Sequence, residues 1–258
     1  MKSIPLTNFR ELGGYQTSNG KKIKEGYLFR GRALRTNDPS IISSIEDLHI
    51  DSIFDFRDSD NRLHEPDISI KGAKYYPCGV LESLGESMDK NPIDVREIEK
   101  TLEGETWTRK DFKAALATYE RMYLEMPFSP GYKAMFDALS RHEKIYVHCT
   151  GGKDRTGVAC MLILWALGAS KRTILHDYRL SNKCRRERNI WRIKRVLQMS
   201  KKLYSVYYMN KFMFCRKRQF KLTFKAIFAK YDNLYEYFDK TFGISKETIE
   251  DWRKFYLE

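Results

Sequence analysis

No apolar run in this chain of 258 residues is long enough to cross a membrane. The longest run, Val158 to Leu167, has about half of the roughly 20 residues that a membrane-spanning helix needs. The first residues, MKSIPLTNFRELGG, also lack the apolar segment of a secretory signal peptide. We therefore expect a soluble, cytoplasmic protein, and leave open its export by a route that uses no signal peptide.

Cysteines are few and show no paired spacing. The five of them form no CxxC pair, which argues against a disulfide framework and against a zinc site. They are Cys78, Cys149, Cys160, Cys184 and Cys215. We predict no metal ion and no other cofactor, and a reducing compartment in which a catalytic thiol stays reduced.

Internal repeats, low-complexity stretches and long Pro/Gly/Ser linkers are absent as well, so we predict one domain over residues 1–258. Short β-type runs occur at 27–29, 52–56, 73–76 and 145–148. Helical patterns cover 38–48, 130–141, 155–167, 170–182, 185–199 and 220–242, and a last helix follows Ser245 through Tyr256. The mixture predicts an α/β fold, with a central sheet flanked by helices.

Positive charge is plentiful and unevenly distributed. The formal net charge is +13, and residues 183–218, here called the basic segment, contain thirteen Lys or Arg against a single acidic residue, Glu187. Aromatic side chains lie among these cations. The segment is either a solvated helical face whose aromatics pack on the core, or a basic helical lid or arm that recruits an acidic membrane surface or a polyanionic substrate. We expect no nucleic acid partner.

One motif carries chemistry. In IYVHCTGGKDRTG (145–157), Cys149 ends a β-type run and Arg155 begins a helix six residues later. Loop amides, helped by Thr150, Gly151 and Gly152, can converge on one phosphate at the positive end of that helix.

The positive electrostatic field of the loop amides and the helix end also favours a thiolate, which makes Cys149 the predicted nucleophile. Arg155 has the planar fork that holds two phosphate oxygens, and Thr156 can hydrogen-bond the sulfur as it leaves. His148 is interpreted as a residue that orders the loop.

Other classes of protein explain the motif less well. A buried structural cysteine beside a chance arginine leaves the rest of the string without a reason. A cysteine protease would need a distant histidine as base. None of His49, His64, His142 and His176 lies in a sequence context that marks a catalytic base. A sulfur-transfer enzyme could share the cysteine loop but has no need of the Arg-Thr pair.

The string HCTGGKDRTG resembles the Cys-x5-Arg-Thr/Ser signature of protein tyrosine phosphatases, and its Lys153-Asp154 pair resembles the atypical bacterial tyrosine/lipid phosphatases. NFRELGGY at 8–15, LFRGR at 28–32 and Asp55-Phe56-Arg57 agree with that family, whereas Asn61 stands where its members usually carry Glu.

The resemblance implies a tyrosine-phosphatase-like fold. It also implies hydrolysis of phosphotyrosine, phosphoserine, phosphothreonine and phosphoinositides through a phosphocysteine intermediate. Lys153, as an extra cation in the pocket, would favour strongly anionic substrates. The alternatives are a phosphoinositide-specific phosphatase and a pseudophosphatase that only binds phosphorylated partners, and the oligomeric state stays open.

The general acid is the least determined role, because no Trp-Pro-Asp tripeptide occurs. Asp154 is the first candidate, with a structural role as its alternative. The further candidates for this role are Asp55, Asp58 and Asp67.

Several other residues have two possible roles. Arg57 is either a second guanidinium near the pocket or a partner in a core salt bridge. Tyr15, Arg30 and Arg32 either line the pocket or pack, and Cys78 is either a disulfide partner of Cys149 or an ordinary buried thiol.

Overall fold

A computed structural model describes residues 4–87, 107–200 and 202–258. Within them a five-stranded sheet has the order β1-β2-β5-β3-β4, with β1 antiparallel and the other neighbours parallel. The strands are β1 (Arg10–Glu11), β2 (Leu28–Arg32), β3 (Ser52–Asp55), β4 (Lys74–Pro77) and β5 (Ile145–Cys149). This confirms the predicted α/β fold.

The central strand, β5, determines where chemistry can occur. Its five residues are all buried, as expected for a parallel strand covered on both faces. Cys149 is in register with Arg32 at the end of β2, and His148 is in register with Asp55 at the end of β3. The carboxyl ends of three parallel strands therefore meet at one edge, where α/β proteins bind ligands.

Helices cover both faces of the sheet. They are α1 (Pro39–Glu46), α2 (Ser59–His64), α3 (Arg109–Glu125), α4 (Lys133–Ser140), α5 (Arg155–Ala166), α6 (Lys171–Cys184), α7 (Arg186–Ser200), α8 (Leu203–Met213), α9 (Lys217–Phe228), α10 (Leu234–Phe242) and α11 (Lys246–Tyr256). The smaller core includes Ile41 and Ile45 of α1. The larger one includes the buried side chains of α3 to α6 and α8 to α11.

Helix α5, which follows the cysteine loop, is buried along most of its length. Every residue from Thr156 to Leu164 is buried, so the helix is fixed from all sides. It lies close to α6, because a Cβ placed on Gly157 would approach the Tyr178 ring to 2.9 Å. The first turn of α5, where anions bind, therefore has a rigid support.

Sequence periodicity predicted most of these elements. The last helix begins after Ser245, whose side chain accepts from the Thr248 amide, as expected. One continuous helix over 220–242 is wrong, because α9 ends at Phe228 and the Asn233 side chain caps a new helix by accepting from the Glu236 amide. The two-residue strand β1 is too short to show a period of its own.

The basic segment is helical, as predicted, and it packs on the domain. Helix α8 lies against α3, where the Tyr208 and Phe112 rings stack at 5.2 Å between centroids. Tyr119 of α3 and Phe212 of α8 meet edge to face at 5.4 Å. Lys201 lies outside the described residues. In the part of the chain that the structure describes, no helix is both long and apolar enough to cross a bilayer.

Candidate active site

The loop from Cys149 to Arg155, here called the cradle, joins β5 to α5 at the carboxyl edge of the sheet. Cys149 is only 3% exposed. Gly152 has φ 62°, and a Cβ there would overlap the carbonyl group of Gly31 in β2. Only glycine adopts this conformation without strain and also leaves room for the neighbouring strand.

Two carbonyl groups of the cradle are held from outside. Asn8 Nδ2 donates to the carbonyl oxygens of Gly151 (3.1 Å) and Gly152 (2.7 Å), and Arg30 Nη2 also donates to Gly152 (2.9 Å). In a trans peptide the next residue's N–H points opposite to the carbonyl. The amides of Gly152 and Lys153 therefore point into the cradle, towards the amino terminus of α5.

A buried ion-pair network holds these two donors. Asp177 of α6 accepts from Arg30 Nη1 (2.5 Å) and Arg10 Nε (2.9 Å), and Arg10 Nη1 donates to Asn8 Oδ1 (2.6 Å). Burial alone would raise the pKa of Asp177, but Arg30 and Arg10 hold it below its usual value. Tyr15 donates to the same carboxylate at 3.4 Å.

These contacts give the two amino-terminal motifs a role that the sequence did not reveal. Arg30 and Tyr15 belong to a network that supports the cradle. Asn8 and Arg10 lie inside NFRELGGY and were overlooked as site residues. Asp177 carries no sequence signal, since only the packing of α6 brings it to the site.

The environment of Cys149 favours its thiolate form. Burial would raise the pKa of this thiol, but the Arg155 charge and hydrogen bonds from the Thr156 hydroxyl and amide outweigh burial and lower it. The Thr156 hydroxyl has no oxygen or nitrogen partner among the described residues, so it is available to the sulfur. The cradle thus holds a thiol that ionises more readily than an ordinary cysteine.

Arg155 and Asp58 face each other across the site. Arg155 Nη1 lies 2.8 Å from Asp58 Oδ2, and its Nη2 donates to Thr150 Oγ1 at 3.4 Å. Asp58 follows β3 and immediately precedes α2, and its carboxylate is largely buried. Of the four aspartates that the sequence offered as general acid, Asp58 is the one that pairs with the cradle arginine.

Asp154 faces α3. Its carboxylate accepts from the hydroxyls of Tyr119 (2.7 Å) and Tyr123. Burial would raise its pKa, yet Lys153 and the two tyrosines lower it. Asp154 is thus tied to α3 by its carboxylate, which fits the structural alternative to the general acid role.

Lys153 also faces α3 and α8. Its ammonium group donates to Tyr119 Oη (3.1 Å) and to the Phe212 carbonyl at the end of α8, and lies 3.3 Å from Asp154 Oδ1. An ammonium group has three donors, and two of them make these hydrogen bonds. Lys153 therefore ties the cradle to α3 and α8.

The remaining supporting residues form a buried network behind the cradle. Arg57 binds Asp55 (2.5 Å) and Asp67 (3.0 Å), and His148 Nε2 lies 3.0 Å from Asp67. Burial acts to raise the pKa of Asp55, but His148 and Arg57 lower it to about 2. Arg57 thus takes the core salt bridge, and its guanidinium supplies positive charge where Asp55, Asp67 and His148 come together.

Arg32 and Cys78 lie beside the site. Arg32 ends β2 opposite Cys149, and its carbonyl accepts from Tyr146 Oη at 2.6 Å. Burial, with a smaller effect of Asp55, raises the pKa of Cys78 to about 11, which disfavours a reactive thiolate there. Its sulfur has no disulfide partner.

Comparison with known proteins agrees with this geometry. A model of a tyrosine phosphatase family matches residues 3–258. A protein of Cupriavidus necator, provisionally named a tyrosine-protein phosphatase, is 28% identical over 183 residues, or 69% of this chain and 61% of that protein. A tyrosine-protein phosphatase of Nostoc commune is 37% identical over 54 residues, 20% of this chain and 18% of that protein. The chain thus spans less than two thirds of the length of these relatives.

We predict that Arg30→Lys shifts the alkylation of Cys149 to higher pH. Lysine keeps the charge beside Asp177 but lacks the fork that also reaches the Gly152 carbonyl. The loop amides then lose their orientation, and the thiolate loses stabilisation. The measurement is the pH dependence of iodoacetamide alkylation, with Cys149 identified by mass spectrometry. Tyr15→Phe, which alters the same network away from the loop, should leave the midpoint in place. Equal midpoints in wild type and Arg30→Lys would contradict the proposed role of the carbonyl contacts.

Proposed function

The chain belongs to the tyrosine phosphatase family, and on that premise we propose that it hydrolyses phosphoric monoesters through a phosphocysteine intermediate on Cys149. The observation that carries the proposal is the placement of the buried Cys149 thiol at the end of β5, before the amino end of a buried helix that carries Arg155 and Thr156, and these two residues lower its pKa. We propose phosphotyrosine, phosphoserine, phosphothreonine and phosphoinositides as substrates, following the family resemblance.

The proposed reaction has two steps. Cradle amides and the Arg155 fork bind the phosphate oxygens, Cys149 Sγ attacks phosphorus, and the bond to the leaving oxygen breaks as that oxygen takes a proton. A water molecule then attacks the phosphocysteine and gives its proton to the carboxylate left by the first step. Inorganic phosphate departs, and the Thr156 hydroxyl stabilises the thiolate that forms again.

We propose that Asp58 donates the proton to the leaving oxygen in the first step and accepts the proton of the water in the second. Its Oδ2 binds Arg155, and its buried Oδ1 has no hydrogen-bond partner within the described ranges. A phosphate that engages Arg155 would compete for that ion pair and free the carboxyl group beside the leaving oxygen. Asp154, by contrast, accepts two tyrosine hydroxyls, and Asp55 and Asp67 bind Arg57.

Asp58→Asn should slow esters with poor leaving groups far more than activated aryl phosphates, because only the former need protonation as they depart. General acid catalysis is worth about 10² to 10⁴ in rate, which sets the expected gap between alkyl and nitrophenyl esters. Asp154→Asn should slow both classes alike. Asp60→Asn, at an exposed position in the first turn of α2, which follows Asp58 directly, is the control. If Asp154→Asn instead slowed the alkyl esters far more than the nitrophenyl esters, Asp154 would be the general acid.

Cys149→Ser should reduce turnover to background while phosphate binding persists, because the cradle amides and Arg155 remain. Turnover is measured with an aryl phosphate, and binding by calorimetry with inorganic phosphate. A chelator should leave the wild-type rate unchanged, since no metal takes part in the proposed steps. Absence of wild-type turnover together with phosphate binding would favour a pseudophosphatase, and residual turnover in the variant would overturn the nucleophile assignment.

The outer face of α7 supports a further proposal, namely contact with an acidic membrane surface. Arg186, Ile190, Lys194 and Leu197 recur at helical spacing on its exposed side, and Trp191 next to them is 56% exposed. Leu203, at the start of α8, is 80% exposed. A helical face that mixes exposed apolar side chains with cations is typical of interfacial helices.

Trp191→Ala combined with Leu203→Ala should weaken co-sedimentation with vesicles that contain phosphatidylserine, because apolar area no longer enters the interface. Arg186→Gln should reduce the salt dependence, as each cation near an acidic membrane contributes about 1 kcal/mol. Leu63→Ala, which changes a side chain of α2 that is 78% exposed, is the control. Unchanged sedimentation at low and moderate salt would mean that this face is a solvated helix surface that does not bind membranes.

A further inference from the structure

Arg185 lies directly on the cradle. A Cβ placed on Gly151 would be 3.2 to 3.3 Å from the Cζ and both Nη atoms of Arg185, so the guanidinium occupies the space that a side chain at 151 would fill. Arg185 is only 9% exposed, and its Nε has no hydrogen-bond partner among the described residues. A buried, unsatisfied guanidinium beside a phosphate-binding loop points to an anionic ligand.

Two more guanidinium groups converge on the same place. Arg32 ends the strand next to Cys149, and Arg188 lies one helical turn after Arg185. Burial lowers the pKa of Arg188 to about 10, helped by Arg192, Arg32 and Arg185. The pKa of Arg32 is lowered by burial and then by Arg35. The positive charge of Arg185 thus acts on both Arg32 and Arg188.

Carboxylates compensate this concentration of charge only from a distance in the described ranges. Glu65 acts electrostatically on Arg32, and Asp154 on Arg185, but no salt bridge there involves Arg32, Arg185 or Arg188, whereas the neighbouring Arg35 pairs with Glu65 at 2.5 Å. Burying cations that repel one another is unfavourable unless an anion compensates them. The planar fork of arginine matches two oxygens of a phosphate group.

We propose that Arg32, Arg185 and Arg188 form a second phosphate subsite, which binds a further phosphate of a compact polyol polyphosphate, such as an inositol bisphosphate headgroup, while the scissile phosphate lies in the cradle. The proposal rests on the proposed phosphatase function and names the residues that would select doubly phosphorylated substrates. The polyol must be compact because Arg185 touches Gly151 of the cradle itself. In a doubly phosphorylated peptide the two phosphates lie at the ends of separate side chains.

The test is the ratio of kcat/KM for inositol 1,4-bisphosphate to that for inositol 4-phosphate. A hydrogen bond to a charged group corresponds to about a ten- to hundredfold effect. Arg185→Gln should therefore lower the ratio by about that factor. Arg188→Gln, at a less buried position, should lower it less and serves as the second variant if Arg185→Gln unfolds. Lys183→Gln, at an exposed position in the last turn of α6, should keep the wild-type ratio.

Each outcome separates the possible explanations. An equal loss for both esters would mean that Arg185 binds the scissile phosphate, and an unchanged ratio would mean that the subsite does not exist. The corresponding ratio of kcat/KM for a phosphatidylinositol bisphosphate to that for a phosphatidylinositol monophosphate, measured in detergent micelles, should respond like the ratio for the free headgroups. A loss confined to the lipid, or a larger loss for doubly over singly phosphorylated peptides, would overturn the assignment to a polyol phosphate. Failure of the wild type to cleave even an aryl phosphate would instead contradict the proposed function.

Discussion

The site depends on the direction of two peptide carbonyls. Asn8 and Arg30 bind the carbonyls of Gly151 and Gly152 from outside, and this turns the amides of the loop inward. Without that orientation the loop would present oxygen rather than N–H groups to a phosphate, and the Cys149 thiolate would lose its field. The donors come from before β1 and from β2, and their anchor, Asp177, from α6. A local loop thus acquires its chemistry only from residues far away in the chain.

This separation explains what sequence reasoning achieved. Cys149, Arg155 and Thr156 lie in one continuous string whose spacing alone indicates an anion loop after a strand, and the flanking elements follow from periodicity. Roles that depend on packing were not accessible. Lys153 and Asp154 look like pocket residues in the string, yet their partners belong to α3 and α8. Asp58 was one of several equivalent aspartates until the fold brought it to Arg155.

The basic segment shows the same limit in its charges. The sequence presents thirteen cations as one patch, but the junction between α6 and α7 turns neighbouring side chains in different directions. Arg185 and Arg186 are neighbours in sequence, yet the first is buried against the cradle and the second is exposed. One part of the segment therefore lies against the cradle and the other faces the surroundings. A net charge cannot separate these parts, whereas the position of each arginine in the fold can.

The bond from Lys153 to the Phe212 carbonyl bears on how such a protein can change in evolution. In sequence, the basic segment looks like an optional module attached behind a complete catalytic motif. In the fold, its backbone supplies an acceptor to a buried ammonium group of that motif. Removing the segment would leave this buried cation without one of its three partners, which is unfavourable. The segment and Lys153 should therefore be gained or lost together, and a minimal catalytic domain cannot be obtained by deleting the segment alone.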